Sequence, residues 1–324
     1  MAEKAEKCEK NSPRRDKAAP NMRPTLLTLA FPIVACLAAI TAITLPGQEV
    51  KPATELARPD TTKPAEEIQP SEAEVKPLKV LMICGGCCHD YENQKMILSE
   101  GISARSHTEF TIVHEEGRQK GDREHQISIY KEKGWAKGYD VILHNECFGA
   151  VTDVPFVEGI AKAHFEGVPA VMLHCSTHSY RTAQTDEWRK CVGQTSMSHE
   201  KNRDLLVRNV AQEHPIMKAF PKEWLDKKDE LYKNDKLWEN FKPLATAYGE
   251  DTQKDHHVVW TNQYGSGRVF GTTLGHGNET MQDPVFLDLV TRGLLWACGK
   301  LDEEGKPIPG YESRQKVVKE EATK

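Results

Sequence analysis

An α/β domain with a mostly parallel sheet and helices on both faces is predicted by three observations. Apolar runs such as Leu78 to Cys84 and Val168 to His174 read as near-continuous, fully buried strands rather than alternating half-buried ones. Helical segments alternate with them in the order β-α-β-β-α-β. Histidines and cysteines gather where the strands run out, in Cys84-Gly85-Gly86-Cys87-Cys88-His89-Asp90-Tyr91, His144-Asn145-Glu146-Cys147, His174-Cys175-Ser176-Thr177-His178-Ser179-Tyr180-Arg181 and Gly275-His276-Gly277-Asn278-Glu279. The carboxyl ends of an open α/β sheet share one crevice, so these four segments are expected to meet there.

The elements follow in order. Leu78 to Cys84 is a strand ending in Gly-Gly, and Glu92 to Arg105 is the helix after it. Phe110 to His114 and Tyr139 to His144 are further strands, and Val154 to Phe165 is a helix behind the cap Asp153. Val168 to His174 is a strand bounded by Gly167 and by Ser176-Thr177. The second half adds strands at Leu205 to Val210, Leu244 to Tyr248, His257 to Thr261 and Arg268 to Thr273, the last two forming a hairpin through Tyr264-Gly265-Ser266-Gly267. Asp283 to Cys298 closes the domain as an amphipathic helix, with Pro284 in its first turn and Gly299 at its end. The charge run Lys222 to Lys236 reads as a solvated helix face.

Three segments precede this domain and one follows it. The first 24 residues carry a net charge of +3, so the rest carries −8 of the chain's −5, which argues against nucleic acid as a partner. Thr25 to Leu45 is an uncharged run of 21 residues, and roughly 20 apolar residues span a bilayer. Its basic flank predicts a transmembrane helix or uncleaved signal anchor, with all that follows exported to the periplasmic or extracytoplasmic side. A cleaved signal peptide is the rival reading, without a clean A-x-A site, and Ile33-Val34-Ala35-Cys36 is a loose lipobox. Residues 46–77, rich in Pro and Glu, read as a disordered linker, residues 78–300 as the domain, and residues 301–324 as a charged, frayed tail.

The strand running into GGCCHDYE, VPAVMLHC running into STHSYR, His214-Pro215-Ile216 before Asp229-Glu230-Leu231-Tyr232, and HHVVWTNQYGSGRVFGTTLGHG before a helix ending LLWACG resemble the ThuA-like (trehalose-utilisation) family. The resemblance covers roughly residues 78 to 300, in the right order. It implies a class I glutamine-amidotransferase-like, flavodoxin-like fold and a link to carbohydrate metabolism.

Several chemistries compete for the clustered residues. Cys84-x-x-Cys87 reads as a redox pair or as a buried thiol at a strand end; haem attachment would need His, not Cys88, after Cys87. His89, Asp90 and Tyr91 sit just past the Gly-Gly turn, where backbone and helix N-terminus favour a polar ligand, against a purely capping role for Asp90. Cys175 reads as a thiol nucleophile with His276 as base and Glu279 orienting it, although Leu173 and Thr177 stand where an elbow wants glycine. His89, His174 and His276, with His178, Glu146 or Asp90 nearby, also supply the ligands a divalent metal such as zinc takes. Tyr91, Glu146, His178, Tyr180, Arg181 and His199 are candidates for holding a polyhydroxylated ligand, while Trp188 and Trp260 read equally well as core. His107, His114, His125 and His164 stand apart and read as solvated or structural. Of nine cysteines, seven follow Cys36, and Cys87 and Cys88 are neighbours that bridge each other only with strain.

The expected protein is a membrane-anchored, exported domain acting on a small-molecule carbohydrate by a hydrolase- or lyase-type reaction on a glycoside. His89, Asp90, His174 and His276 are its candidate catalytic groups, and a homo-oligomer is admitted. A non-catalytic carbohydrate-binding envelope module and a Cys175-dependent amidase-like hydrolase are the alternatives.

Overall fold

In the computed structural model, residues 75–119 and 121–314 are described. The basic segment, the Thr25 to Leu45 run and most of the linker lie outside them. Among the described residues, no helix is long and apolar enough to cross a membrane.

The chain runs through β1 (Leu78–Gly86), α1 (Tyr91–Ser103), β2 (Thr108–His114), β3 (Val141–Cys147), α2 (Val154–Phe165), β4 (Ala170–Leu173) and α3 (Glu187–Val192). It continues with β5 (Gln194–Thr195), β6 (Arg203–Asn209), β7 (Glu223–Asp229), β8 (Lys236–Leu237), β9 (Lys242–Gly249), β10 (Lys254–Tyr264) and β11 (Gly267–Thr272), and ends in α4 (Asn278–Gln282) and α5 (Pro284–Ala297). The main sheet has the order β2-β1-β3-β4-β11-β10-β9-β6-β7. Its first five members pair in parallel in the flavodoxin-type order, with β1 flanked by β2 on one side and β3 on the other. From β11 onward every pairing is antiparallel, so the sheet is mixed, half parallel domain and half antiparallel wing.

The pleat explains why β1 is apolar throughout. Val80 and Met82 enter one core layer with Leu98 and Ile102 of α1 and Phe286, Val290 and Leu294 of α5. Leu81 and Ile83 point the opposite way, into a layer with Val157 and Ile160 of α2 and Trp188 and Cys191 of α3. Trp188 and Trp260 are both core residues, 1% and 0% exposed. Helix starts follow local chemistry: Asp90, Asp153 and Asp283 accept hydrogen bonds from Asn93, Phe156 and Val285 backbone N–H groups, each such cap contributing about 1 kcal/mol.

Two expectations are corrected. The charge run Lys222 to Lys236 is not a helix face: it contains β7, the irregular segment after it and the first residue of β8. A bulge with Lys228 at φ +57° shifts the register, so Trp224, Asp226 and Asp229 all turn inward although plain alternation would place Asp226 and Asp229 on opposite sides. The segment from Leu301 to Arg314 does not fray, because Leu301 bridges Pro307 and Glu312 bridges Ser106 at the edge of the domain.

Candidate functional site

Three strand ends deliver three imidazoles. β1 leaves the sheet through Gly85 and Gly86, at φ +131° and +103°, where a Cβ would lie 1.9 Å from Glu115 O and 2.4 Å from Cys147 O. Only glycine fits between the neighbouring strand ends, and the tight exit places His89 over the sheet edge. β4 turns sharply into a 3-10 turn from His174 to His178, and the residue in the left-handed region is His174 itself, at φ +42°. The strained corner at the end of β4 therefore carries an imidazole. After β11, Gly275 at φ +109° leads to His276.

The three rings meet edge to face, with centroids 4.7 Å apart for His89 and His174, 5.0 Å for His89 and His276, and 5.5 Å for His174 and His276. Each offers a ring nitrogen within 4.8 Å of the others. His174 Nδ1 lies 2.6 Å from Thr273 O, which can only accept, so Nδ1 carries a proton and Nε2 is the nitrogen that faces the cluster. His89 is half-buried, yet both its ring nitrogens are shielded and neither makes a well-formed hydrogen bond among the described residues.

The carboxylate serving this cluster is Glu230, just past β7. Its Oε2 lies 3.4 Å from His276 Nδ1 and 3.6 Å from His174 Nε2, and its Oε1 lies 3.6 Å from His199 Nδ1. Burial would raise the Glu230 pKa, but hydrogen bonds and positive charge from His174 and His276 hold it far below the usual carboxylate range. Burial would likewise lower His276, and the same Glu230 contact reverses the sign and raises it. Burial dominates at His89, and the neighbouring His174 and His276 push it further down, so its imidazole is neutral, the metal-binding form.

Asp229 positions the loop beneath. Its Oδ2 accepts from Gly275 N at 2.7 Å, and its Oδ1 accepts from His276 N at 3.2 Å and Glu230 N at 2.7 Å. Asp226, 1% exposed, accepts from the Thr280 hydroxyl at 2.7 Å, while its other oxygen has no donor. Burial, then the charge of Asp229, raises its pKa, so Asp226 is the protonated member of the pair.

A second layer backs the cluster. Tyr232 directs its hydroxyl to His174 Nε2 at 3.3 Å and stacks on His178, with ring centroids 3.9 Å apart. His178 is held by Ser196 Oγ at 2.8 Å, and His199, at the rim, lies against both rings, with centroids 5.6 Å from Tyr232 and 6.2 Å from His178. Arg181 donates to Met197 O at 3.0 Å. Tyr91 packs its ring edge against His89 and donates to Cys87 O at 3.1 Å. Asp90 caps α1 and accepts from Asn278 Nδ2 at 2.8 Å, tying α1 to the start of α4.

Other expected members sit differently. Glu146 is fully buried, and its Oε1 binds Tyr130 OH at 2.9 Å, His144 Nδ1 at 2.9 Å and Tyr180 OH at 3.4 Å. None of the three clustered imidazoles is among these partners, because Glu146 and His144 share the face of β3 that looks toward α2. His164, expected to be solvated or structural, is fully buried there and meets His144 Nε2 at 3.0 Å. Glu279 is exposed and affects His276 only through its charge, so the orienting carboxylate is Glu230. Cys175 is paired with Cys147 and is no free nucleophile, and Cys87 pairs with Cys88, the bridge the sequence reading disfavoured. Cys84 remains a free thiol pushed up to about 12 by burial, which removes the Cys84-x-x-Cys87 redox pair.

Glu230, Asp229 and Tyr232 were missed as functional residues. Their signal was present in the Asp229-Glu230-Leu231-Tyr232 segment of the family pattern, but the surrounding lysines read as solvated surface. Three surface clefts have other linings: one of about 690 Å³ by Arg118, Asp122 and Arg123, one of about 460 Å³ by Trp135, Lys137 and Lys162, and one of about 200 Å³ by Ile216, Phe220, Pro284 and Arg292. The imidazole cluster is defined by its donor atoms.

Sheet order and a site at the strand ends define a flavodoxin-like α/β domain with an antiparallel wing. The chain belongs to the ThuA family, trehalose utilisation, whose pattern matches residues 79–297. Its fold is similar to a ThuA-like protein from Parabacteroides merdae, at 19% identity and TM-score 0.58 over 74% of this chain and 98% of that one. A ThuA-like protein from Bacteroides uniformis is similar at 16% identity and TM-score 0.55, over 74% and 98% of the two chains. No curated protein matches.

Proposed function

We propose that this protein is an enzyme of carbohydrate utilisation whose three-imidazole cluster holds a divalent metal such as zinc and acts on a sugar or sugar derivative by a hydrolase- or lyase-type reaction. The observation that carries the proposal is the convergence of His89, His174 and His276, with ligand nitrogens within 4.8 Å of one another. Two further features fit a metal. Buried ring nitrogens without well-formed hydrogen bonds are costly, and coordination would satisfy one of the two on His89. His174 donates its other N–H to a backbone carbonyl, the outer support that metal-binding histidines use. Three imidazole nitrogen donors are the protein ligand set of a catalytic zinc site.

A bound divalent ion supplies Lewis acidity toward a sugar oxygen and lowers the pKa of bound water. The chain's own groups do the rest. Glu230, ionised and turned toward the cluster, holds His276 Nδ1 at 3.4 Å and would orient it as a ligand while its other oxygen faces the rim. The rim residue His199 offers a hydrogen bond to a substrate oxygen, while the buried Tyr232 hydroxyl supports His174 from behind. Membership of a trehalose-utilisation family supports the sugar, and the apolar run Thr25 to Leu45 supports an anchored domain on the exported side.

The test is elemental analysis of the untagged full chain and of an H89A/H174A double variant, both from zinc-supplemented growth, with turnover measured on a panel of glycosides. About one metal ion per chain, lost together with turnover in the variant, is expected. Turnover by a metal-free wild type would leave direct acid–base catalysis in place of the metal. A wild type that neither binds nor converts any sugar would refute the carbohydrate reading.

A further inference from the structure

Beside the imidazoles lies a second cluster that the proposed reaction does not use. Cys87, Cys147 and Cys175 are buried in a small apolar group with Cys84 and Tyr91, while Cys88 is exposed. Cys87 is paired with Cys88 and Cys147 with Cys175, and the two pairs touch: Cys87 Sγ lies 3.7 Å from Cys147 Sγ. Two disulfides in van der Waals contact, one reaching the surface and the other ending next to His174, form a path for thiol–disulfide exchange.

We propose that these four cysteines are a redox relay which carries exchange from an external dithiol at Cys88 to the buried Cys175. The accessible sulfur sets the direction. A thiolate of the external dithiol attacks Cys88 Sγ, forming a mixed disulfide and expelling Cys87 as thiolate. That thiolate, already 3.7 Å away, attacks Cys147 Sγ; a Cys87–Cys147 bond forms, the Cys147–Cys175 bond breaks, and Cys175 leaves as thiolate. The second thiol of the external dithiol then resolves the mixed disulfide and frees Cys88. The dithiol loses two electrons and becomes a disulfide, the protein gains them as two thiols at Cys88 and Cys175, and one protein disulfide remains. The consequence is a thiol released next to the His174 corner only when a dithiol reductant is present. At 7% exposure, Cys175 offers little access for direct attack by an external thiol.

The relay is tested on the full chain with one equivalent of dithiothreitol, acid quenching, alkylation in denaturant and peptide mapping by mass spectrometry. Alkylated Cys88 and Cys175 together with a Cys87–Cys147 cross-linked peptide is the expected result. Alkylation of Cys87 and Cys88 with Cys147–Cys175 intact would overturn the relay, as would four thiols present before reductant is added, for instance holding a soft metal ion through Cys87, Cys88 and Cys147. A kinetic arm uses Cys87→Ser: the Cys175 thiol should then appear at least tenfold more slowly than in wild type, and an unchanged rate refutes the mechanism. Neither arm reads carbohydrate turnover or the metal content of the imidazole cluster, so its failure is distinct from failure of the proposed function.

Discussion

The Asp226 and Asp229 pair yields a prediction whose sign can be worked through. Asp226 is 1% exposed, and burial followed by the Asp229 charge pushes its pKa from 3.8 up to about 10. A carboxyl whose folded pKa is raised contributes stability that is fully present below the unfolded pKa and is lost as pH climbs toward the folded one. The window is therefore pH 4 to 10. Between pH 4 and 7 each unit is worth about 1.4 kcal/mol, which sets a ceiling of about 4 kcal/mol on the loss. Asp226→Asn removes the ionisation while keeping an acceptor for Thr280 and a donor toward Asp229. Urea denaturation midpoints at pH 5, 7 and 9 should show the variant close to wild type at pH 5. At pH 7 it should gain about 2–4 kcal/mol over wild type, and more at pH 9. A variant less stable by the same amount at every pH would show that Asp226 is ionised in the fold and that the assignment of the proton is wrong.

Two further predictions address the site and its frame. Replacing Glu230 by Gln should leave circular dichroism unchanged but weaken zinc binding about 10–100-fold in a chelator competition titration, the usual effect of losing an outer carboxylate; an unaltered affinity would remove Glu230 from the site. Gly86→Ala should cost about 2–4 kcal/mol in denaturant unfolding, because it combines φ +103° with a Cβ 2.4 Å from Cys147 O. Gly159→Ala in α2 meets nothing within 4 Å and should be neutral or slightly stabilising, so equal losses at both positions would contradict the packing argument.

Much of the fold was legible because local chemistry and packing agree. Asp153 as cap and the apolar spacing after it define Val154–Phe165, and the structure has that helix with those bounds. The parallel strands were readable from continuous burial, since both faces of β1, β3 and β4 are covered. β7 was not readable. Its inward residues Asp226 and Asp229 stand three apart, a helical spacing, and only the bulge at Lys228 makes that spacing compatible with a strand. Its lysines point to solvent while its two aspartates turn in, and a composition-level reading averages the two.

The candidate site divides the same way. From the sequence alone it followed that His89, His174 and His276 stand at the carboxyl ends of strands in one sheet, because the pleat and the βα order place those ends along a single edge. Which carboxylate would face them was decided by tertiary structure. Glu146 lies two residues from His144 on the face of β3 turned toward α2, and Glu279 is solvated, whereas Glu230 arrives from the antiparallel wing. Its approach is secured by Asp229 holding Gly275 across 46 residues of sequence. Contacts at that separation depend on the register of strands that are not neighbours in the chain, and no local pattern of residue types encodes that register.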